Sequence, residues 1–252
     1  MIEHQFKKKF GQNFITDKNL LNAIANDAQI ENCQVLEIGA GAGTLTQVLN
    51  DRAEFVHSYE IDLDLKEHLL SLKLNKTKFF FEDIMKLPLE KIESDFSHYK
   101  LVANLPYYIT SPLIFKFIKS HKLDSMTIMV QKEVAQRICA KENSKDYGLL
   151  SIMTAFYGES KITRIVGKDN FYPKPKVDSA VVNIKIDRKY RYVDEDKFYD
   201  LVQNLFSMRR KTIRNNLAKN YKSLIAKLDE DLLSKRSEQL SLAQIIDIYK
   251  KM

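Results

Sequence analysis

The fold is decided by residues 34–43, Gln34-Val35-Leu36-Glu37-Ile38-Gly39-Ala40-Gly41-Ala42-Gly43, where a largely apolar run ends in three glycines at alternate positions. A short apolar run beside turn residues predicts a buried strand, and glycines let the chain turn sharply and let a ligand approach the backbone. Leu45, Val48 and Leu49 then continue with helical spacing. A dinucleotide-binding turn normally has the wider spacing GxGxxG, so this turn alone fits either a dinucleotide or another ligand.

The alternation of strands and helices continues along the chain. Apolar runs predict further strands over 55–59, 78–81, 100–103, 126–130, 161–166 and 180–186. The spacing of apolar residues between these runs predicts helices over about 17–30, 63–72 and 111–120. Strands that alternate with helices form βαβ units, in which a parallel sheet is covered by helices on both faces. We therefore predict an α/β fold with a Rossmann-like, doubly wound sheet.

The pattern changes after the charged segment 187–196, because the remaining chain shows helical spacing alone. We therefore predict an α/β domain over residues 1–190 and a small all-helical domain over residues 191–252. Residues 187–252 contain 15 Lys and Arg against 10 Asp and Glu, so the helical part is basic. The stretch 206–227 alone carries seven Lys and Arg and no Asp or Glu.

Acidic residues follow two of the predicted strands at the edge where parallel sheets bind ligands, beyond their carboxyl ends. Glu60 ends the strand over 55–59, where a carboxylate can accept hydrogen bonds from both hydroxyls of a ribose. Asp83 follows the strand over 78–81 and can accept from an adenine amino group. The sequence has no GK[ST] motif and places no Lys or Arg beside the glycine turn. These features favour a nucleoside without phosphate, S-adenosylmethionine, over NAD or ATP.

The strand over 100–103 ends in Asn104-Leu105-Pro106-Tyr107. The Asn104 side chain and a carbonyl of Leu105 or Pro106 can accept hydrogen bonds from an exocyclic amine, and the Tyr107 ring can stack on a flat base. Phe171 stands just before a Pro-x-Pro turn and is the second ring that we expect to stack on an extruded adenine. Packing in the core is the alternative role of Phe171.

Eight motifs in this order and spacing resemble the bacterial small-subunit ribosomal RNA adenine dimethyltransferases, and they span nearly the whole chain. They are residues 10–15 (FGQNFI), 36–41 (LEIGAG), 60–62 (EID), 104–107 (NLPY), 131–134 (QKEV), 147–148 (YG), 175–181 (PKVDSAV) and 209–212 (RRKT). Many relatives have proline at the position of Ala40, which we do not expect to alter ligand contacts.

The resemblance implies a class I S-adenosylmethionine-dependent methyltransferase core with a helical C-terminal domain. It implies the transfer of four methyl groups to N6 of two adjacent adenosines in a loop near the 3′ end of small-subunit (16S) rRNA. The cofactor-binding residues that the motifs and the glycine turn give are Asn13 and Ile15 at the methionine part, Gly39 and Gly41 in the turn, Glu60 at the ribose, Asp83 at the adenine, and Asn104 at the junction with the target.

The basic residues predict contacts with RNA phosphates, because a run without any acid is unusual in a chain that has 33 Asp and Glu. A solvated helix face is the alternative. The predicted RNA-binding residues are Lys7, Lys8, Lys9, Arg209, Arg210, Lys211 and Arg214. Two other functions stay open: an antibiotic-resistance relative acting on large-subunit rRNA, which resembles the stretch 209–214 less, and a ribosome-assembly or transcription factor with little catalysis.

Composition narrows the class of protein further. The chain has 252 residues, a net charge of +7, two cysteines without metal-ligand spacing and five scattered histidines, so we expect no metal site. No run approaches the roughly 18 apolar residues of a membrane span, and residues 1–14 lack the apolar segment of a secretory signal. We expect a cytoplasmic monomer whose partner is small-subunit rRNA within an immature 30S particle.

Overall fold

The computed structural model describes residues 14–15, 17–105 and 109–252. The described chain forms two compact units. The first contains the described residues up to Ala135 together with Ser160–Ile186, and the second contains Gln136–Glu159 and Asp187–Met252. Residues 136–159, which the sequence grouped with residues 1–190, thus belong by their packing to the same unit as the C-terminal helices.

The first unit is built on a seven-stranded sheet. Its strands are β2 (Gln34–Ile38), β3 (Phe55–Tyr59), β4 (Thr77–Phe80), β5 (Tyr99–Asn104), β6 (Leu123–Gln131), β7 (Gly158–Val166) and β9 (Ser179–Ile186), in the order β4-β3-β2-β5-β6-β9-β7. A separate antiparallel pair joins β1 (Phe14–Ile15) to β8 (Phe171–Tyr172). The seven strands predicted from apolar runs are confirmed: β2 and β3 match their predicted ranges, β4 is shifted by one residue, and the other four extend beyond theirs.

The strands β2 to β6 form the predicted parallel sheet, and the later strand β9 makes the complete sheet mixed. The strands from β4 to β6 pair in parallel, whereas β9 pairs with β6 in antiparallel register. A parallel neighbour needs a crossover connection that is usually an α-helix. The neighbouring strands β7 and β9 are joined without such a helix, because the chain between them forms only a 3₁₀ turn (Lys168–Asn170) and the short β8.

Helices connect the parallel strands and cover the sheet. They are α1 (Lys18–Ala28), α2 (Thr44–Arg52), α3 (Lys66–Ser71), α4 (Leu89–Ile92), α5 (Thr110–Phe117) and α6 (Lys132–Ile138). Asp17 caps α1, because its Oδ1 accepts from the amide of Asn19 at 2.8 Å. Leu21, Ile24, Ala25 and Ala28 of this helix lie in a core with Val35, Val56 and Val102 of the sheet. The predicted helix at this position is therefore confirmed.

The second unit is mainly helical. It contains α7 (Leu149–Tyr157), α8 (Glu195–Leu205), α9 (Ile213–Leu217), α10 (Lys222–Ile225), α11 (Glu230–Ser234) and α12 (Leu242–Lys250), together with one β-bridge between Thr212 and Arg236. No helix among the described residues is long and apolar enough to cross a membrane.

Buried polar groups in the second unit are satisfied by the backbone. The Asn216 side chain is buried and donates to the carbonyl of Leu205 at 2.6 Å, and the Ser237 hydroxyl donates to the same carbonyl. These bonds satisfy a carbonyl at the C-terminal end of α8 that no following turn can reach. They connect α8 to α9 and to the turn that precedes α12.

Candidate active site

Four predicted site residues lie at the carboxyl ends of four neighbouring strands. The sheet order β4-β3-β2-β5 places Asp83, Glu60, Gly39 and Asn104 in that sequence along one edge. Neighbouring strands are about 4.8 Å apart, so three intervals cover about 14 Å. The chain also reverses its direction of winding between β2 and β5, which is where ligands of open parallel sheets bind.

The glycine turn follows β2 and brings the backbone close to its surroundings. Gly39 has a φ of +83°, and Gly41 has a φ of +56°, a region that is costly for residues with a Cβ atom. A Cβ on Gly41 would lie 2.8 Å from an edge carbon of the Phe14 ring. The turn at Gly41 therefore depends on glycine for its conformation and for the packing of Phe14.

Glu60 is buried at the end of β3 and holds the glycine turn. Its Oε2 accepts from the amide of Gly41 at 2.8 Å, and its Oε1 accepts from the amide of Asp62 at 2.8 Å. Burial raises the pKa of this carboxyl, while the two amide bonds act in the opposite direction. A carboxylate has about four acceptor positions, so further donors can bind after these two. The arrangement fits a residue that orders the turn and also accepts ribose hydroxyls.

Glu37 is a buried acid beside the site that the sequence did not single out as a binding residue. It is fully buried on β2 and accepts a hydrogen bond from the hydroxyl of Ser58, its register partner on β3. Burial raises its pKa to about 7, against the opposing effect of the hydrogen bond from Ser58. Among the described residues, no hydrogen-bond partner reaches its Oε1 or the buried Thr46 hydroxyl. The sequence does show an acid within a largely apolar strand, which marks Glu37 as unusual. Its partner Ser58 could not be predicted, because that pairing depends on the register between β2 and β3.

Asp83 begins the turn that follows β4. Its Oδ1 accepts from the amide of Met85 at 3.0 Å and so caps a 3₁₀ turn over Ile84–Lys86. Its Oδ2 lies 3.8 Å from the Lys86 ammonium, which is largely exposed. One carboxylate oxygen thus fixes the local backbone, and the other faces an exposed cation that a ligand donor can replace.

The strand β5 ends at Asn104, which is half-buried. The next residue, Leu105, is buried and donates its amide to the carbonyl of Met129 at 3.2 Å. This bond continues the β5–β6 pairing past Asn104 and fixes the backbone there. Pro106, Tyr107 and the predicted methionine contact Asn13 lie outside the described residues.

Ile15 and Phe171 are register partners in the β1–β8 pair. The carbonyl of Ile15 accepts from the Thr44 hydroxyl at 3.2 Å, which connects β1 to the start of α2. Phe171 is 6% exposed and belongs to the hydrophobic core together with Ile15 and Val166. Core packing, the alternative that the sequence left open, is what the structure shows for Phe171, and its stacking on an extruded adenine stays a prediction.

The predicted RNA-binding residues of the second unit divide into two groups. Arg209 donates to the carbonyl of Lys145, and Arg214 forms an ion pair with Glu230. Arg210 and Lys211 are exposed, and within the described part of the chain no side chain pairs with them. Lys7, Lys8 and Lys9 lie outside the described residues. The described residues include no group of three or more His, Cys, Asp or Glu side chains that could hold a metal ion.

Comparisons with known proteins agree with this geometry. The family model for ribosomal RNA adenine dimethylase matches residues 3–252. A relative from Mycoplasmopsis synoviae (strain 53), ribosomal RNA small subunit methyltransferase A, is 39% identical over 253 residues, which cover 98% of this chain and 97% of the relative.

Two solved structures are similar over almost their whole length. A dimethyladenosine transferase from Plasmodium falciparum has a TM-score of 0.80 at 26% identity, covering 93% of this chain and 95% of that one. The 23S rRNA methyltransferase ErmE has a TM-score of 0.70 at 25% identity, covering 94% of this chain and 100% of that one. These likenesses confirm the predicted class I methyltransferase fold. With a family model matched from residue 3 to residue 252, the chain belongs to the ribosomal RNA adenine dimethylase family.

Proposed function

We propose that this protein transfers methyl groups from S-adenosylmethionine to N6 of two adjacent adenosines in a loop near the 3′ end of small-subunit rRNA, giving N6,N6-dimethyladenosines. The observation that carries the proposal is the order Asp83, Glu60, Gly39, Asn104 along one sheet edge. This is the order in which adenine, ribose, methionine and methyl acceptor must be contacted when the cofactor lies across the strand ends.

The residues at this edge fit S-adenosylmethionine. Residues 34–51 contain no Lys or Arg, so the turn offers no side-chain cation to a phosphate. Glu60 orders the turn and offers acceptors for ribose, Asp83 offers an acceptor for the adenine amino group, and Gly39 leaves room beside the carbonyl of Asn104. When bound, the cofactor supplies an electrophilic methyl group on a sulfonium. Asn13 and Ile15 are the proposed contacts to its methionine part, with Gly41 in the turn.

Asn104 is the proposed catalytic residue. The N6 lone pair of adenine is delocalised into the ring and is a poor nucleophile. The side-chain oxygen of Asn104 and a carbonyl of Leu105 or Pro106 accept from the two N–H groups, which favours a pyramidal nitrogen whose lone pair points at the methyl group. Alignment of this kind can contribute roughly 7–11 kcal/mol to lowering a barrier. The methylated ammonium loses its proton to water, so no strong base is needed.

The target base is proposed to be extruded from the RNA and stacked on Tyr107. Stacking on an aromatic side chain contributes about 1–3 kcal/mol per base. Phe171, the register partner of Ile15 in the β1–β8 pair, is the proposed second ring that stacks on this base.

The small subunit is favoured over the large subunit as the source of the RNA. The relative named for the small subunit is 39% identical, whereas the similar 23S enzyme ErmE is 25% identical. Arg209, Arg210, Lys211 and Arg214, and by sequence Lys7, Lys8 and Lys9, are the proposed phosphate contacts. Arg209 and Arg214 must first leave the contacts that they make within the chain. We propose action as a monomer in the cytoplasm, on an immature 30S particle.

The test is mass mapping of the 3′ region of rRNA after incubation of the purified protein and S-adenosylmethionine with undermethylated small subunits. Two dimethylated adenosines are expected from the wild type and none from Asn104→Ala. Asn22→Ala, on the exposed face of α1, is the matched control and should retain full activity. Methylation of large-subunit rRNA instead would favour the resistance-type function, and cofactor binding without methylation of either RNA would favour an assembly factor.

A further inference from the structure

Lys116 is a partly buried lysine on α5 whose ammonium group binds the backbone of a different segment. Its Nζ donates to the carbonyls of Ile84 at 2.7 Å, Met85 at 3.2 Å and Leu87. A lysine ammonium has three donors, so all of them are used on one short stretch of chain. That stretch is the 3₁₀ turn that Asp83 begins and the residue that follows it.

These carbonyls lie at the end of the turn where acceptors are in excess. The last carbonyls of a helical turn have no partner within it, and they form the negative end of its dipole. Within the turn, the amide of Lys86 donates to the carbonyl of Asp83 at 3.0 Å, whereas the bond from Leu87 to the carbonyl of Ile84 is long, 3.4 Å, so the end that Lys116 contacts is the weaker one. The ammonium of Lys116 satisfies several acceptors at once and adds a charge of the favourable sign.

The same turn is fixed at its other end by Asp83, whose Oδ1 accepts from the amide of Met85. The two residues are also coupled electrostatically. Burial lowers the pKa of the Lys116 ammonium, and the Asp83 carboxylate acts to raise it. A displacement of the turn would therefore move the Asp83 carboxylate, because Asp83 is both the cap and the residue directly before Ile84.

We propose that Lys116 is a positioning residue for cofactor recognition, which holds the turn over residues 84–87 so that the Asp83 carboxylate meets the adenine amino group. This inference rests on the proposed function, in which Asp83 contacts adenine. Lys116 lies on the helix that follows residues 104–107 in the chain. The turn over residues 84–87, next to the proposed adenine contact, is thereby held by α5, the helix that follows the proposed methyl-acceptor segment 104–107.

Lys122 provides a matched control within the same unit. Its Nζ donates to the carbonyls of Glu93 at 2.9 Å and Phe96 at 2.7 Å, so it also binds backbone carbonyls with its ammonium. Those carbonyls follow α4 and are not part of the turn that carries Asp83. Lys122→Met should cost stability as Lys116→Met does, without changing recognition of adenine.

The experiment compares the dissociation constants of S-adenosylhomocysteine and S-inosylhomocysteine by calorimetry. The second ligand replaces the amino donor with a carbonyl oxygen, which the Asp83 carboxylate repels. The wild type and Lys122→Met should prefer the adenine ligand by roughly tenfold or more, because a hydrogen bond to a charged group contributes strongly to binding. In Lys116→Met and in Asp83→Ala the preference should fall to about threefold or less.

Folding of Lys116→Met is checked by circular dichroism. The inference is overturned if folded Lys116→Met keeps the wild-type preference for the adenine ligand although Asp83→Ala loses that preference. If the wild type and Asp83→Ala prefer the adenine ligand equally, Asp83 makes no contact with adenine, and the inference is overturned at that step. Failure of the wild type to bind S-adenosylhomocysteine refutes the proposed function itself. If Lys116→Met does not fold, Lys116→Gln replaces it. Its two donors should give an intermediate preference, and the wild-type preference would again overturn the inference.

Discussion

Replacing Glu37 with Gln should remove a pH dependence from the stability of the protein. Glu37 is fully buried, and its pKa is raised by burial from an ordinary value of 4.5 to about 7. A carboxyl whose pKa is raised binds its proton more tightly in the folded state than in the unfolded state. Its protonation therefore favours folding at a pH below 4.5 and this contribution is lost as the pH rises through 7.

The magnitude follows from the two pKa values. A pKa change from 4.5 to about 7 corresponds to at most about 3 kcal/mol of unfolding free energy. Between about pH 5 and about pH 8.5, this group should lower the stability of the wild type by about 2–3 kcal/mol. The glutamine side chain resembles the protonated acid: its oxygen can accept from Ser58, its nitrogen can donate to the Thr46 hydroxyl, and it does not ionise.

The assay is urea unfolding of the wild type, Glu37→Gln and Glu67→Gln at several pH values across that range. Glu67 is exposed on α3, so its substitution controls for the loss of one carboxylate from the surface. The stability of Glu37→Gln relative to the wild type should increase with pH by about 2–3 kcal/mol, while that of Glu67→Gln stays flat. A Glu37→Gln difference that does not change with pH would refute the assignment of a raised pKa to this buried acid.

Three further predictions concern the site and the RNA. Asn104→Ala should abolish methyl transfer, measured with tritiated cofactor, while calorimetry shows cofactor affinity largely retained; a near wild-type rate contradicts the proposed mechanism. Arg210→Ala with Lys211→Ala should weaken binding to small subunits and reduce its logarithmic salt slope by about two, and an unchanged slope would make these residues a solvated face. Gly41→Ala should weaken S-adenosylhomocysteine binding roughly tenfold by calorimetry, because its φ is +56°. Gly167→Ala, at a φ of −64°, should leave binding unchanged, and equal effects would contradict the strain argument.

The parallel half of the fold could be predicted from the sequence because each element leaves a local signal. Most residues of the strands β2, β3 and β5 are buried, as expected when both faces of a sheet are covered, and each strand contains an apolar pair or run that marks it in the sequence. Helix α7 gave no such signal, since Leu149–Tyr157 is apolar around most of its circumference and six of its nine residues are buried. A helix of this kind has no periodic contrast between its faces.

The site residues at strand ends could be predicted for a related reason. The position of Glu60, Asp83 or Asn104 depends only on where its strand ends and on the rule that ligands bind beyond carboxyl ends. The partner of Glu37 depends instead on register between β2 and β3, which pairs it with Ser58. The contacts of Lys116 with the carbonyls after Asp83 depend on tertiary packing. Neither leaves a signal within the local sequence.

Phe171 and Tyr172 illustrate the same limit at the scale of one residue. Side chains alternate between the two faces of a strand, so one of two neighbouring rings must point inward. The sequence shows two aromatic residues before a proline but not the pairing of β8 with β1, which places Phe171 opposite Ile15 in the core. Tyr172, which is 65% exposed, takes the other face.

The basic stretch over 206–227 shows which contacts a local charge count leaves out. The stretch has no acid of its own, yet Arg214 pairs with Glu230, beyond its end, and Arg209 binds a carbonyl before α7. Backbone carbonyls and acids from other segments are available to any long cation, and a count along the chain cannot include them. A phosphate competing for Arg209 or Arg214 must first replace these contacts, whereas Arg210 and Lys211 need only give up water. The affinity for RNA should therefore depend more strongly on Arg210 and Lys211 than on Arg209 and Arg214.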